Sequence, residues 1–180
     1  NIVGGRDLKY SVVRYGNVMG SRGSVIPLYM KLKNTKVIPI TDMEMTRFNI
    51  TLKEGVNMVL WAINNSLGGE IFVPKIPSYK ITDIAKAICP DCQQNIIGIR
   101  PGEKLHEEMI TKADSASTID LGQYFAILPS DGHLKEKYKE KGVNFTDVKN
   151  GFSYNSGENQ HFLDVEEIRD LIANNIKTIG

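Results

Sequence analysis

The sequence predicts an α/β fold, because short β-prone runs and amphipathic helical stretches alternate along it. Two stretches carry that reading most strongly. GGEIFVP (68–74) is an apolar run entered through a Gly-Gly turn, which is a strand signature. ITLKEGVNMVLWAINN (50–65) is the best helix: Val56, Val59, Leu60 and Ile63 form one stripe, and Thr51 with Glu54 makes a capping box.

The other elements follow in order. YSVVRY (10–15) reads as a short buried strand. VIPLYMKLK (25–33) has helical spacing, with Pro27 tolerable in the first turn. VIPI (37–40) is a short strand, and TDMEMTRFN (41–49) is polar and irregular. YKITDIAKAI (79–88) is an amphipathic helix capped near Ser78 or Thr82. NIIGIRPGEKLHEEMI (95–110) reads strand, Pro-Gly turn, helix. QYFAIL (123–128) is a further strand, followed by a polar region and a loop at 150–160. FLDVEEIRDLIANNI (162–176) closes as a helix with Asp164 as its cap.

Composition bounds the function. At 180 residues, 41% hydrophobic and 24% charged, the chain suits one globular domain, or one with a small lobe. A net charge of +1 argues against nucleic acid or an anionic membrane as a bulk electrostatic partner. No apolar run is long enough to span a bilayer, and no signal peptide is visible. Cys89 and Cys92, in C-P-D-C, do not make a disulfide framework; they read as two reduced thiols at a helix-end turn, pointing to a reducing compartment. A structural zinc would need a second pair of ligands. The chain begins at Asn1 rather than Met, so processing and truncation both stay open.

Three segments carry candidate chemistry, each with two readings. RYGNVMGSRGSVIP (14–27) offers backbone N–H groups at Gly16, Gly20, Gly23 and Ser24, with the guanidiniums of Arg14 and Arg22, ahead of a helix N-terminus. That combination suits phosphate, yet a tight strand-to-helix turn needs glycine equally. TDMEMTRF brings Thr41, Asp42, Thr46 and Arg47 together as ligand groups or, more simply, as a solvated turn. RPGEK places Arg100 to meet a phosphate and Glu103 to accept from a vicinal diol, or else forms a salt-bridged helix start. HEEMI lacks the second histidine of a zinc-protease helix, because Ile110 stands in its place. His133 and His161 read as surface residues, and Met58 and Trp61 as core or interface. Neither a dinucleotide fingerprint nor a G-x-S-x-G elbow occurs.

Taken in order, RYGNVMGSRGSVIP, ITDMEMTRFNITLKEGV, GGEIFVPKIPS and IGIRPGEKLHEEMI closely resemble the inverting UDP-N-acetylglucosamine 4,6-dehydratases. These are extended short-chain dehydrogenase/reductase enzymes of bacterial glycan biosynthesis. The resemblance runs from about 11 to 112, weakens from 113 to 160, and returns in FSYNSGENQHFL; IGIRPGEKLHE is most similar to the pseudaminic-acid branch. It implies the C-terminal part of a Rossmann-like NADP-binding fold, carrying the smaller nucleotide-sugar lobe. The family's glycine fingerprint and its catalytic Tyr-x-x-x-Lys would lie upstream of Asn1, leaving no catalytic residue in residues 1–180. Asn17 and Val18 would sit between sugar and nicotinamide, with Val18 the cofactor contact. Arg22, Gly23, Ser24, Val25 and Ile26 would wrap the UDP-sugar, Thr41 and Arg47 would meet the nucleotide, and Arg100 and Glu103 would hold diphosphate and ribose. The implied reaction moves hydride from C4 to NADP+, eliminates water across C5–C6, returns hydride at C6 and inverts C5. The resemblance also implies a cytoplasmic homo-oligomer when complete. One departure is Asn49, where an aromatic usually follows TRF. A split-gene UDP-sugar-binding module and a UDP-sugar 4-epimerase are the alternatives.

Overall fold

Strands and helices alternate as the periodicity requires in the computed structural model, which describes residues 8–176. In chain order the elements are β1 (Val12–Val13), β2 (Asn17–Val18), α1 (Val25–Leu32), β3 (Val37–Ile40), β4 (Thr46–Ile50), α2 (Leu52–Asn65), β5 (Ile71–Pro74), β6 (Ser78–Lys80), α3 (Ile81–Ile88), β7 (Gln93–Ile96), β8 (Glu108–Ile110), β9 (Thr118–Asp120), β10 (Tyr124–Ile127), α4 (His133–Glu140), β11 (Thr146–Asp147) and α5 (Val165–Asn175). The α/β class is borne out.

The chain divides into two units, each assembled from separated stretches. The first takes the stretch ending at Tyr15, Lys53–Lys75 and Glu108–Tyr154. Its five-stranded sheet runs β1-β5-β10-β9-β11, with β1 parallel to β5 and the remaining pairs antiparallel. Met58 and Ala62 of α2 pack with Phe72, Ile119, Ala126 and Leu134 to form its core. Trp61 meets Phe72 edge-on at 5.1 Å and Tyr124 at 4.4 Å, so Met58 and Trp61 are core residues as expected.

The α2 stripe is a correction. Val56, Val59, Leu60 and Ile63 do share one face, but that face is exposed, and Gly55, Met58 and Ala62 are the buried side. Both faces of this helix are apolar, so periodicity alone does not decide which one meets the sheet.

The second unit takes Gly16–Leu52, Ile76–Glu107 and the stretch from Asn155 onward. Strand β4 lies between β2, to which it is parallel, and β6, to which it is antiparallel; β3 pairs with β7 in parallel. Helices α1, α3 and α5 supply Ile26, Tyr29, Ile84 and Ile168 to a core with Ile38 and Ile40. Each fully buried aliphatic side chain contributes about 1.5–3 kcal/mol. Helix α5 starts at Asp164, whose side chain accepts from the Glu167 amide while Glu167 returns a bond to the Asp164 amide, the cap the sequence predicts.

Four further expectations fail here. TRFNI is a strand, not irregular, because the Thr46 and Arg47 side chains and the Phe48 and Asn49 amides find partners inside the unit. Helix α3 takes Lys80 as N-cap, with no side-chain bond from Ser78 or Thr82. The helix expected after Pro101 does not form; residues 101–107 are a loop leading into β8. Cys89 and Cys92 are joined by a disulfide rather than free: the amide of Cys92 donates to the Cys89 carbonyl at the end of α3, a turn that brings the Cα atoms to 5.3 Å.

Three buried tyrosines make the fold alkali-sensitive. Burial, reinforced by Glu103, pushes the Tyr29 hydroxyl up to about 12; Tyr79 and Tyr138 are raised by burial and then by Glu107 and Glu70. A folded-state pKa above the unfolded value near 10 means that the unfolded chain loses protons first as pH rises. Stability is therefore full below about pH 10 and falls above it, by at most about 1.4 kcal/mol per pH unit for each tyrosine. Thermal melts between pH 8 and 11 should show Tm flat at first and then descending. A Tm that holds to pH 11 contradicts this.

Candidate functional site

Apart from Arg14, the site residues expected from the sequence all fall in the second unit. The loop from β2 to α1 is shaped by two glycines. A Cβ on Gly16 would stand 2.5 Å from Phe48 Cβ, so this chain segment approaches β4 as only glycine allows. Gly23 has φ +82°, the left-handed region, and turns the chain into Ser24, the N-cap of α1.

At that helix start the Ser24 hydroxyl is buried with no hydrogen-bond partner, and the first turn of α1 carries no acidic residue. Free amide donors, an unsatisfied hydroxyl and the exposed Arg22 beside them form a positive, donor-rich corner. Val25 is half-buried and Ile26 fully buried, so both anchor the helix. Arg14 belongs to the other unit, where its Nη1 donates to the Met109 carbonyl at 2.8 Å.

A charged cluster is built on β4 and on the 101–107 loop. The Arg47 guanidinium donates from Nη1 to the carbonyls of Thr46 (2.7 Å) and Leu105 (3.1 Å). It lies 3.9 Å from Glu103 and 3.7 Å from Glu107. Glu107 ties the rest together: Oε1 accepts from Asn17 Nδ2 at 2.8 Å, and Oε2 accepts from the Phe48 amide at 2.9 Å. Its own amide donates to Ser156 Oγ, which shares a hydrogen bond with Thr46 Oγ1; that hydroxyl also meets His106 Nδ1 at 2.8 Å. Asn17, Arg47, Glu103 and Glu107 thus form one array.

Glu107 is the residue sequence reasoning missed. In HEEMI the histidine is the residue with zinc-helix spacing, and the first glutamate carries no motif of its own. A second carboxylate four residues beyond Glu103 was the available signal.

Other expected residues stand apart from that array. The Arg100 side chain is exposed, and its backbone alone reaches Glu103: its amide donates to the Glu103 carboxylate at 3.2 Å and its carbonyl accepts from the Glu103 amide at 3.0 Å. Thr41 is half-buried at the end of β3. Val18 lines a cleft of about 630 Å³ with Met19, Gly20, Met30 and Ile176. Asn49, in the place of an aromatic, is 2% exposed, and its side-chain oxygen is buried without a partner. His133 and His161 are exposed, as expected. The sequence does hold one Tyr-x-x-x-Lys spacing, Tyr29 to Lys33, but the Tyr29 hydroxyl is buried and donates to the Pro39 carbonyl. Among the described residues no group of three or more His, Cys, Asp or Glu could hold a metal ion. No described helix is long and apolar enough to cross a membrane.

Known proteins share this sequence and fold. Two Campylobacter jejuni proteins named UDP-N-acetylglucosamine 4,6-dehydratase (inverting), from strains 81-176 and NCTC 11168, are 47% and 46% identical to it over 96% of the chain and 53% of their own length. A UDP-glucose 4-epimerase of Rickettsia canadensis is 40% identical over 89% of the chain and 48% of its own length. The solved structure of Pen from Bacillus thuringiensis superposes with a TM-score of 0.78 at 34% identity, covering 92% of this chain and 50% of that one. The chain therefore spans about half the length of the curated relatives it matches. The polysaccharide biosynthesis protein family model matches residues 2–129, and the chain belongs to that family.

Proposed function

We propose that this chain is the nucleotide-sugar-binding portion of a C5-inverting UDP-N-acetylglucosamine 4,6-dehydratase, together with the end of its cofactor-domain sheet. The observation that carries the reading is the unsatisfied, donor-rich start of α1, with a buried Ser24 hydroxyl beside Arg22, in the same unit as the Asn17–Glu107–Arg47–Glu103 array. Ser24 and the α1 amides suit the diphosphate of a UDP-sugar, and Glu103 suits a ribose diol. Arg47 and Thr41 are assigned to the nucleotide, Arg100 to the diphosphate, and Asn17 to the sugar. The identity to the two C. jejuni dehydratases supports the same substrate class.

Such an enzyme uses a nicotinamide cofactor, NADP in this reading, which when bound accepts and returns the hydride. The residues of this chain do not fit the whole cofactor. No strand–glycine turn–helix fingerprint is present in the sequence, and Val18 alone offers a contact. What the chain contributes is grip and orientation, with Glu107 holding the Asn17 amide and neighbouring Arg47 in fixed places. The product would be UDP-2-acetamido-2,6-dideoxy-β-L-arabino-hex-4-ulose, made for pseudaminic acid by a cytoplasmic homo-oligomer.

Calorimetry tests the binding role. UDP should bind the 180-residue chain, and Arg100→Ala should weaken it about tenfold or more with Tm unchanged, since the exposed guanidinium supports no fold contact. Undetectable UDP binding sinks the reading. Supplied with UDP-N-acetylglucosamine and NADP+, the chain alone should give no 4-keto-6-deoxy sugar, and detection of that product would refute its inactivity. The Rickettsia relative keeps a second reading, 4-epimerisation, in view; a C4-epimeric product from the complete protein would select it.

A further inference from the structure

His106 is a half-buried histidine to which the binding proposal gives no part, yet the second unit holds it closely. Gly157 makes room for the ring: a Cβ there would stand 2.6 Å from Nδ1, so only glycine lets the imidazole lie against the turn at Ser156 and Gly157. The same nitrogen meets Thr46 Oγ1 at 2.8 Å, and Thr46 Oγ1 meets Ser156 Oγ at 2.8 Å. Ser156 Oγ accepts from the Glu107 amide at 2.8 Å, and the Ser156 amide donates back to the Glu107 carbonyl. A row of polar groups therefore runs from the Glu107 backbone to the imidazole.

Hydrogen-bond accounting gives that row a direction. Ser156 is 0% exposed and Thr46 2%, so water does not serve either hydroxyl, and neither has a further side-chain partner among the described residues. With Nδ1 unprotonated the row closes: the Glu107 amide donates to Ser156, the Ser156 hydroxyl to Thr46, and the Thr46 hydroxyl to Nδ1. A proton on Nδ1 reverses the last bond. One of the two hydroxyl hydrogens is then buried with no acceptor, which costs at least as much as a lost hydrogen bond.

The far end of the row is Glu107, whose carboxylate accepts from Asn17 Nδ2 and the Phe48 amide and lies 3.7 Å from Arg47. We infer that His106, as a neutral imidazole with its proton on Nε2, is a positioning residue: through Thr46 and Ser156 it holds Glu107 where the carboxylate sets Asn17 and Arg47 for a nucleotide-sugar. The last clause rests on the proposed function; the hold on Glu107 does not.

Heteronuclear NMR of the 180-residue chain near neutral pH tests the assignment directly. His106 Nδ1 should show the shift of a bare nitrogen and Nε2 that of a protonated one, and Thr46→Val should release that preference. Exchange of the Phe48 amide, which donates to Glu107, should quicken about tenfold in His106→Leu. His106→Asn should bring it back to within about twofold of the parent, because the asparagine Oδ1 stands where Nδ1 accepts. Affinity for UDP-N-acetylglucosamine should follow the same order, about tenfold weaker in His106→Leu and near the parent in His106→Asn. The tautomer is read on the unaltered chain, so it decides even where a variant fails to fold. A proton on Nδ1 overturns the inference, and so does Phe48 exchange that is equally fast in His106→Leu and His106→Asn. A parent that binds no UDP-sugar, with tautomer and exchange as expected, sinks the binding reading and supports the hold on Glu107.

Discussion

Replacing Glu70 with alanine is expected to destabilise the fold by about 3 kcal/mol or more, the largest effect of any single change considered. Glu70 is 1% exposed and sits between the Gly-Gly turn and β5. Its carboxylate accepts from Ser11 Oγ (2.7 Å), the Leu67 amide (2.6 Å), the Gly68 amide (2.9 Å) and the Tyr138 hydroxyl (3.1 Å). Those donors come from the strand edge, the turn and α4, so one side chain fastens three parts of the first unit. Alanine removes every acceptor at once, and each buried donor left unmade costs about 1–3 kcal/mol. For a chain of this size, 3 kcal/mol corresponds to a Tm drop of about 6–12 °C. Glu70→Gln should fall between, because its NH2 faces donors on one side. A melt of Glu70→Ala within 2 °C of the parent (about 1 kcal/mol or less) would show that the network contributes little.

Arg47→Ala should cost both stability and nucleotide binding. The guanidinium is mostly buried, donates to two backbone carbonyls, and lies between Glu103 and Glu107. Its loss leaves Glu103 and Glu107 without the cation they share, for about 2–3 kcal/mol of destabilisation. If Arg47 also meets the nucleotide, UDP affinity falls at least tenfold. Arg47→Lys restores the charge but not the spread of the guanidinium, whose Nη1 holds the Thr46 and Leu105 carbonyls while Nη2 and Nε lie toward Glu103 and Glu107, so it should recover binding only partly. Unchanged UDP affinity in Arg47→Ala would remove Arg47 from the nucleotide site and leave it a purely structural residue. The exposed Arg100 separates the two effects, since its loss should touch binding alone.

Much of the fold is legible where local chemistry and packing agree. Asp164 with Glu167 announces α5, Pro27 sits where a helix start tolerates it, and VIPI is a strand in both readings. The failures share a cause: partners distant in sequence override local preference. TRFNI looks too polar for a strand until the Phe48 amide meets Glu107 and the Asn49 amide meets Pro77. Residues 102–110 have helical composition, yet Glu107 gains more from Asn17, Phe48 and Ser156 than from its own turn. The Lys-rich stretch after 129 hides α4, whose Leu134 and Tyr138 are too few to show a clear stripe. In the site, Arg47 and Glu103 were readable as a pair only through resemblance. Glu107 was not, because its role rests on residues 59 and 90 positions away.

The interleaving of the two units has a consequence for inheritance. Each draws on three stretches of chain, so no contiguous part of the gene encodes either one. A single recombination crossover cannot exchange one unit between relatives while keeping the other. Change within one unit therefore comes more readily by point substitution than by exchange of a whole segment.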